Sequence, residues 1–311
     1  MAHAGRVGEK AAFLIILRMT EPAVQDRLLS HLQILVGERH PVTAPGHLWR
    51  VEEYLADTFA QLGLQVAAHP FGTGHGTYRN VVATLLPTHG AQSRGRGMAS
   101  APLILAAHYD TVEESPGADD NASALAVLLE AAHRLRGMER RREVQCVGFC
   151  LEEEGLLGSR AFAAELSAMG RGILGALVLE CVGFASEREG SQTVPPGIPV
   201  VVPTVGNFLA IVGNSASASL TASVTRAAGA HLPVVPLVVP EQGEQHPDTR
   251  RSDHAAFWDH GFPAVMLTDT ANFRNPNYHR STDTLETLSL TFLADVLAAV
   301  TAAAGNLAGG E

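Results

Sequence analysis

Histidines and carboxylates recur in this chain directly after short apolar runs, where a folded protein can gather them. His108-Tyr-Asp110 follows the run 103–107. Asp119-Asp-Asn121 stands at the start of a helical stretch. Glu152-Glu-Glu154 follows 144–151, and Glu180 follows 174–179. Asp269 and then Tyr278-His279 follow 264–268. Each group alone has an ordinary explanation. A histidine ends a strand, Asp-Asp-Asn caps a helix for about 1 kcal/mol, and three glutamates make a solvated face. Jointly these explanations fail. Carboxylates packed at one edge repel and are costly to desolvate unless cations compensate them. Two zinc ions ~3.5–4 Å apart require a bridging carboxylate, with a terminal histidine and carboxylate on each ion. The chain offers two histidines and three acidic ligands in suitable places.

Hydrophobic periodicity indicates the elements that must position these groups. Helical spacing predicts helices over 22–36 and 47–62, on Leu28, Leu32, Val51, Leu55 and Phe59. A polar, Gly-containing hairpin region and a strand at 80–86 come next. The stretch 89–100 reads as a solvated Gly/Ser/Arg loop. Strands at 103–107, 144–151 and 174–179 alternate with helices at 121–136 and 159–169. That order argues for α/β layers around a largely parallel sheet. The proline-bearing stretch 184–206 breaks the rhythm and is expected to be a long, functional excursion. A helix at 215–227, strands at 232–239 and 264–268, and an Ala-rich closing helix at 288–304 complete the chain. No internal repeat or interdomain linker is visible.

Bulk properties narrow the function classes. A net charge of -10 opposes a general nucleic-acid surface. No apolar run approaches the ~20 residues that span a membrane. Arg6 and Lys10 precede a short apolar run at 11–17, but Arg18 interrupts it and no small-x-small cleavage site follows. Residues 1–20 are therefore expected to be an N-terminal helix, with a leader segment as the alternative. Cys146 and Cys150, four apart in a strand, stand roughly 13 Å from each other, beyond disulfide reach. With Cys181 they read as buried thiols, compatible with a reducing, cytoplasmic compartment.

Six runs, in this order, resemble the co-catalytic di-zinc aminopeptidase family, which includes glutamate carboxypeptidase II and the glutaminyl cyclases. They are Ala107-His-Tyr-Asp110, Gly117-Ala-Asp-Asp-Asn-Ala-Ser123, Glu152-Glu-Glu-Gly-Leu-Leu-Gly-Ser159, Ser252-Asp-His254, Gly261-Phe-Pro-Ala264 and Asn277-Tyr-His279. The resemblance implies a three-layer α/β sandwich, with a central, mostly parallel mixed sheet and helices on both faces. It also implies a single zinc peptidase domain over 21–311. Two Zn2+ are implied, with His108 and Glu180 on one ion, Glu153 and His279 on the other, and Asp120 bridging. Well-studied aminopeptidases of the family carry Asp where this chain has Glu180.

The resemblance assigns Glu152 as general acid/base and Tyr278 as the group that polarises the scissile carbonyl. Asp110 would orient His108 through its free ring nitrogen, and Asp283 would act similarly on His279. A cis peptide is expected at Asp120-Asn121. Asp253 and His254 read as supporting residues. His133, His40, His47, His69, His75 and His260 read as unrelated to the site. The implied reaction is removal of amino-terminal residues from peptides or amino-acyl compounds. Carboxypeptidase action and glutaminyl cyclisation are the alternatives on the same scaffold. The substrate pocket is expected to draw on 184–206, 242–251 and 272–275, with Arg274.

Overall fold

The computed structural model describes residues 24–74, 76–88, 101–198 and 200–310. The stretches 1–23 and 89–100, read above as an N-terminal element and a solvated loop, lie outside the described residues, as does His75. In chain order the helices are α1 (24–35), α2 (Pro45–Gln61), α3 (Ala124–Arg136), α4 (Leu157–Ala168), α5 (Ala218–Ala228), α6 (His254–Asp259) and α7 (Leu290–Gly309). The strands are β1 (Gln65–Thr73), β2 (Gly76–Leu85), β3 (Leu103–His108), β4 (Val144–Phe149), β5 (Gly175–Glu180), β6 (Leu209–Asn214), β7 (Val234–Val239) and β8 (Ala264–Thr268).

Strand β3 is buried along its whole length. Leu103, Leu105 and Ala107 enter one core, while Ile104 and Ala106 enter a second. A strand apolar on both sides belongs inside a sheet covered on both faces. β5 divides the same way, with Leu177 and Leu179 on one side and Ala176 and Val178 on the other. The first core takes side chains from α1, α2, α3, α5 and α7, and the second from α4 and α6. This is the expected three-layer arrangement.

The sheet order is β1-β2-β4-β3-β5-β8-β6-β7. The central neighbours β4, β3, β5 and β8 pair in parallel, and so do β6 and β7. The β1–β2, β2–β4 and β6–β8 pairs are antiparallel. Two elements were not foreseen in the sequence. β6 was hidden behind the proline-bearing excursion, and the short α6 carries too few turns to show a period. The helix expected from residue 121 begins at Ala124, because 118–123 forms a tight turn with a cis Asp120–Asn121 peptide.

Helix α7 corrects the expectation that no segment is long and apolar enough to cross a membrane, since it meets that test by length and composition. Its apolar side chains are used internally. Phe292, Leu293, Val296, Leu297 and Val300 are buried, and the helix packs against α3 and α5. Ser289 caps its start by accepting from the Phe292 N–H, and Gly310 at φ 91° ends it.

Candidate metal and catalytic site

Because β4, β3, β5 and β8 are adjacent and parallel, their carboxyl ends open on one edge of the sheet, where ligands bind in such folds. His108 is the last residue of β3 and Glu180 the last of β5. Glu152 and Glu153 lie in the turn after β4, and Asp120 in the 118–123 turn. His279 arrives from the loop between β8 and α7, at φ 58°.

The contacts fall into two halves that meet at Asp120. His108 Nε2 lies 3.2 Å from Asp120 Oδ1, 3.5 Å from Glu180 Oε2 and 4.0 Å from Glu152 Oε2. His279 Nε2 lies 3.1 Å from Asp120 Oδ2 and 3.2 Å from Glu153 Oε1. Donor atoms of His108, Glu152 and Glu180 fall within 4.8 Å of one another, as do those of Asp120, Glu153 and His279. Both ring nitrogens of His108, both oxygens of Asp120 and Glu153 Oε1 are buried without a hydrogen-bond partner. Such orphaned atoms are rare because each loses its hydration. A divalent cation in each half would satisfy all of them except His108 Nδ1, which faces Asp110, and imidazole with carboxylate is a donor set that zinc accepts. Glu152 shares a cluster with His108 and Glu180, so proximity alone does not separate it from the ligands.

The uncompensated charges perturb one another. Burial lowers the affinity of His108 for a proton, but Glu180 and Glu152 outweigh it and hold the imidazole well above its usual range. His279 is likewise lowered by burial yet pushed up to about 10 by Asp120 and Glu153. Burial alone would raise Asp120, but the two histidines hold it far below the ordinary carboxylate range. Burial, and then Asp120, push Glu153 up to about 7. Glu152 is raised well above its normal value, first by burial and then, against the pull of His108, by Glu180 and Glu153.

Backbone amides hold the acidic groups in place. Asp110 accepts from the N–H of Glu152 at 3.0 Å and of Glu153 at 3.1 Å. It stands 3.6 Å from His108 Nδ1, longer than a hydrogen bond. Asp110 thus holds the turn carrying the glutamates and also faces the ring nitrogen of His108 that it was expected to orient. Asp283 also acts elsewhere than expected. Its carboxylate accepts from the N–H of Asp119 at 3.0 Å and of Asp120 at 3.1 Å, supporting the central aspartate. Asn121 straddles Glu180, donating to Leu179 O at 3.0 Å and accepting from the Cys181 N–H at 3.1 Å. Ser252 donates to Glu180 Oε2 at 2.7 Å.

Arg39, which no sequence motif marks, is fully buried. It donates to the carbonyls of Leu35, Gly37, Tyr109, Pro116 and Gly117. Burial lowers it to about 10. A lone Arg in an unpatterned loop gave no signal of this role. The three cysteines are free and buried, as expected.

A cleft adjoins the cluster, with Glu180 and Tyr278 on its wall. Val194, Ile198 and Val200 from the excursion, Phe208, Leu237 and Met266 make it apolar. The excursion is tied down where Thr193 N–H donates to Phe273 O at 2.8 Å and Gln192 accepts from Arg274 Nε at 2.8 Å. Arg274 is buried against Phe208 and does not line the cleft, contrary to expectation. Arg251 does line it, donating to Tyr278 Oη at 3.1 Å and Asn272 Oδ1 at 2.8 Å. The Tyr278 ring stacks on His279 with centroids 3.9 Å apart. Asp253 is fully buried and pushed up to about 7, chiefly by burial. His254 donates to Thr249 O at 2.7 Å, away from the cluster.

Residues 80–304, spanning every residue of the cluster, match peptidase family M28. The chain belongs to that family. This M28 peptidase is 31% identical over 293 residues to the uncharacterized protein YfbL of Escherichia coli, covering 88% of this chain and 86% of that protein. Its fold is similar to the LapA aminopeptidase of Legionella pneumophila, with a TM-score of 0.69 and 17% identity over 94% of this chain and 73% of that one. It is also similar to BSAP, a zinc aminopeptidase from Bacillus subtilis, with a TM-score of 0.56 and 23% identity over 76% and 52% of the two chains. At these identities the structural likenesses show the fold.

Proposed function

We propose that this M28 peptidase is a zinc-dependent aminopeptidase holding two zinc ions, and that it acts as a single domain over 21–311. Asp120 carries the reading, because its two oxygens face two different histidines at 3.2 and 3.1 Å. His108 and Glu180 would complete one position, and Glu153 and His279 the other. Zinc, when bound there, supplies Lewis acidity that activates water and polarises a carbonyl. Glu152 is the general base: it takes the proton of the attacking water and returns it to the leaving amine. Tyr278, held by Arg251, donates to the carbonyl oxygen as charge develops on it. The acidic groups attract the substrate's free ammonium, and the apolar cleft receives its side chain. The three buried free thiols support a cytoplasmic site of action.

A panel of free and N-blocked peptides, with metal content measured on the same sample, tests this reading. Release of N-terminal residues from free-amine peptides alone, with two zinc ions per chain, is the expected result. Release from the carboxyl end of blocked peptides would establish a carboxypeptidase instead. A single tight zinc with cyclisation of N-terminal glutamine would establish a cyclase.

A further inference from the structure

The turn that presents Glu152 and Glu153 runs between β4 and α4. Leu151 and Leu156, near its two ends, have φ of 61° and 63°, a region that bulky side chains rarely adopt. Such backbone persists only where its surroundings over-determine it. Asp110 holds the middle of the turn through the amides of Glu152 and Glu153. The two ends are tied together by Asn80 of β2, which is fully buried. Asn80 Oδ1 accepts from the Cys150 N–H at 3.0 Å, and Nδ2 donates to the Gly158 carbonyl at 2.9 Å. Gly158 permits this approach, since a Cβ there would fall 2.3 Å from both Asn80 Oδ1 and the Cys150 carbonyl oxygen. The Cys150 amide can only donate and the Gly158 carbonyl can only accept, which fixes the orientation of the Asn80 amide. Its second N–H then faces His69 Nδ1 at 3.0 Å, directly across the β1–β2 pair. His69 accepts there, and its own proton on Nε2 points to Glu165 Oε2 at 3.1 Å. Both N–H groups and the oxygen of Asn80 are thus engaged in a single arrangement.

We propose that Asn80 is a positioning residue for the hydrolysis: by closing the ends of the 150–158 turn it sets where Glu152 and Glu153 point. The proposal rests on the roles proposed above for these two glutamates. Asn80 acts through the backbone at Cys150 and Gly158. Asn121 brackets Glu180 in the same manner over a shorter span. A base moved by about 1 Å can lose on the order of 10² in rate, so a clamp on the turn matters to turnover more than to substrate binding.

Asn80→Leu keeps similar bulk and removes all three hydrogen bonds. In the zinc-saturated full chain, kcat for a free-amine peptide should fall on the order of 10²-fold, with KM near its wild-type value. Zinc affinity should weaken on the order of ten-fold, because Glu153 shares the turn. Hydrogen exchange at the Cys150 amide should be slow in wild type and fast in the variant. Val300→Ala, a core truncation in α7 far along the chain from the turn, should lower stability and keep kcat. Unchanged kcat and zinc affinity in folded Asn80→Leu overturn the positioning role and leave the metal-centre reading standing. An equal loss of kcat in Val300→Ala does the same, since stability alone would then explain it. A wild type that neither binds zinc nor releases N-terminal residues overturns both. Should Asn80→Leu fail to fold, Asn80→Asp decides under alkaline conditions, where its carboxyl is ionised and cannot donate. Wild-type kcat in that variant overturns the clamp, and a lowered kcat with unchanged KM supports it.

Discussion

Glu152 and Glu153 are neighbours in sequence with different expected roles, and Asp110 holds both of their amides. A positioned general base contributes about 10²–10⁴ in rate. Glu152→Gln should therefore lower kcat by roughly 10³ while both metals stay bound, because Gln preserves shape and removes only the basic oxygen. Near-normal turnover with full metal occupancy would remove Glu152 from that role. His254 gives a separate residue-level prediction. Burial holds it at about 4, against 6.5 for an ordinary histidine, with the hydrogen bond to Thr249 opposing and Arg250 assisting. The unfolded chain then binds the proton more readily, so His254 favours folding above pH 6.5 and loses that effect as pH falls towards 4. The difference is on the order of 3 kcal/mol. Urea unfolding of wild type and His254→Gln between these limits should show the wild-type advantage shrinking with acid. A constant difference would sink the assignment.

At the scale of elements, the turns between strands carry the site, and Arg39 is what organises the 109–117 turn. Five carbonyls from two chain segments converge on its guanidinium. Arg39→Met removes the side-chain donor to the Leu35, Gly37 and Tyr109 carbonyls, while Pro116 and Gly117 keep backbone donors, so it should cost roughly 3–5 kcal/mol in urea unfolding. It should also weaken zinc binding, because Asp120 follows that turn. A change under about 0.5 kcal/mol, the range of ordinary surface substitutions, would show that the turn holds itself. Gly117 makes the same point sterically. At φ 58° its missing Cβ would sit 2.3 Å from the Asp120 carbonyl oxygen. Arg39 does not stand out in sequence, since a buried arginine among backbone carbonyls has no periodicity, whereas Gly117 opens one of the runs that carry the family resemblance.

For the whole molecule, the sheet edge assembles acidic groups that the proposed zinc ions would balance. Chelation should lower the Tm and added zinc should restore it, since a ligand at 1,000 times its Kd adds about 4 kcal/mol per site. Identical melts with and without chelator would contradict this. The order of amino acids carries the α/β layering and the list of polar strand ends. Both are local matters: apolar runs bury on two faces, and strands end where polarity begins. It also determined His108, Asp120, Glu152, Glu153, Glu180 and His279 as candidates, through type and order. Their division into two halves was implied by the family resemblance, and the fold supplied the contacts that bring them together. The parallel order β4-β3-β5-β8 places residues dozens apart within 4 Å of each other, and nothing local encodes that order. The same holds for Asp110 and Asp283, whose carboxylates accept hydrogen bonds from backbone amides. Amide positions follow from folding, and side-chain type does not announce them. Cys181 went from an inert thiol to a neighbour of Asp120 and Glu180 for the same reason.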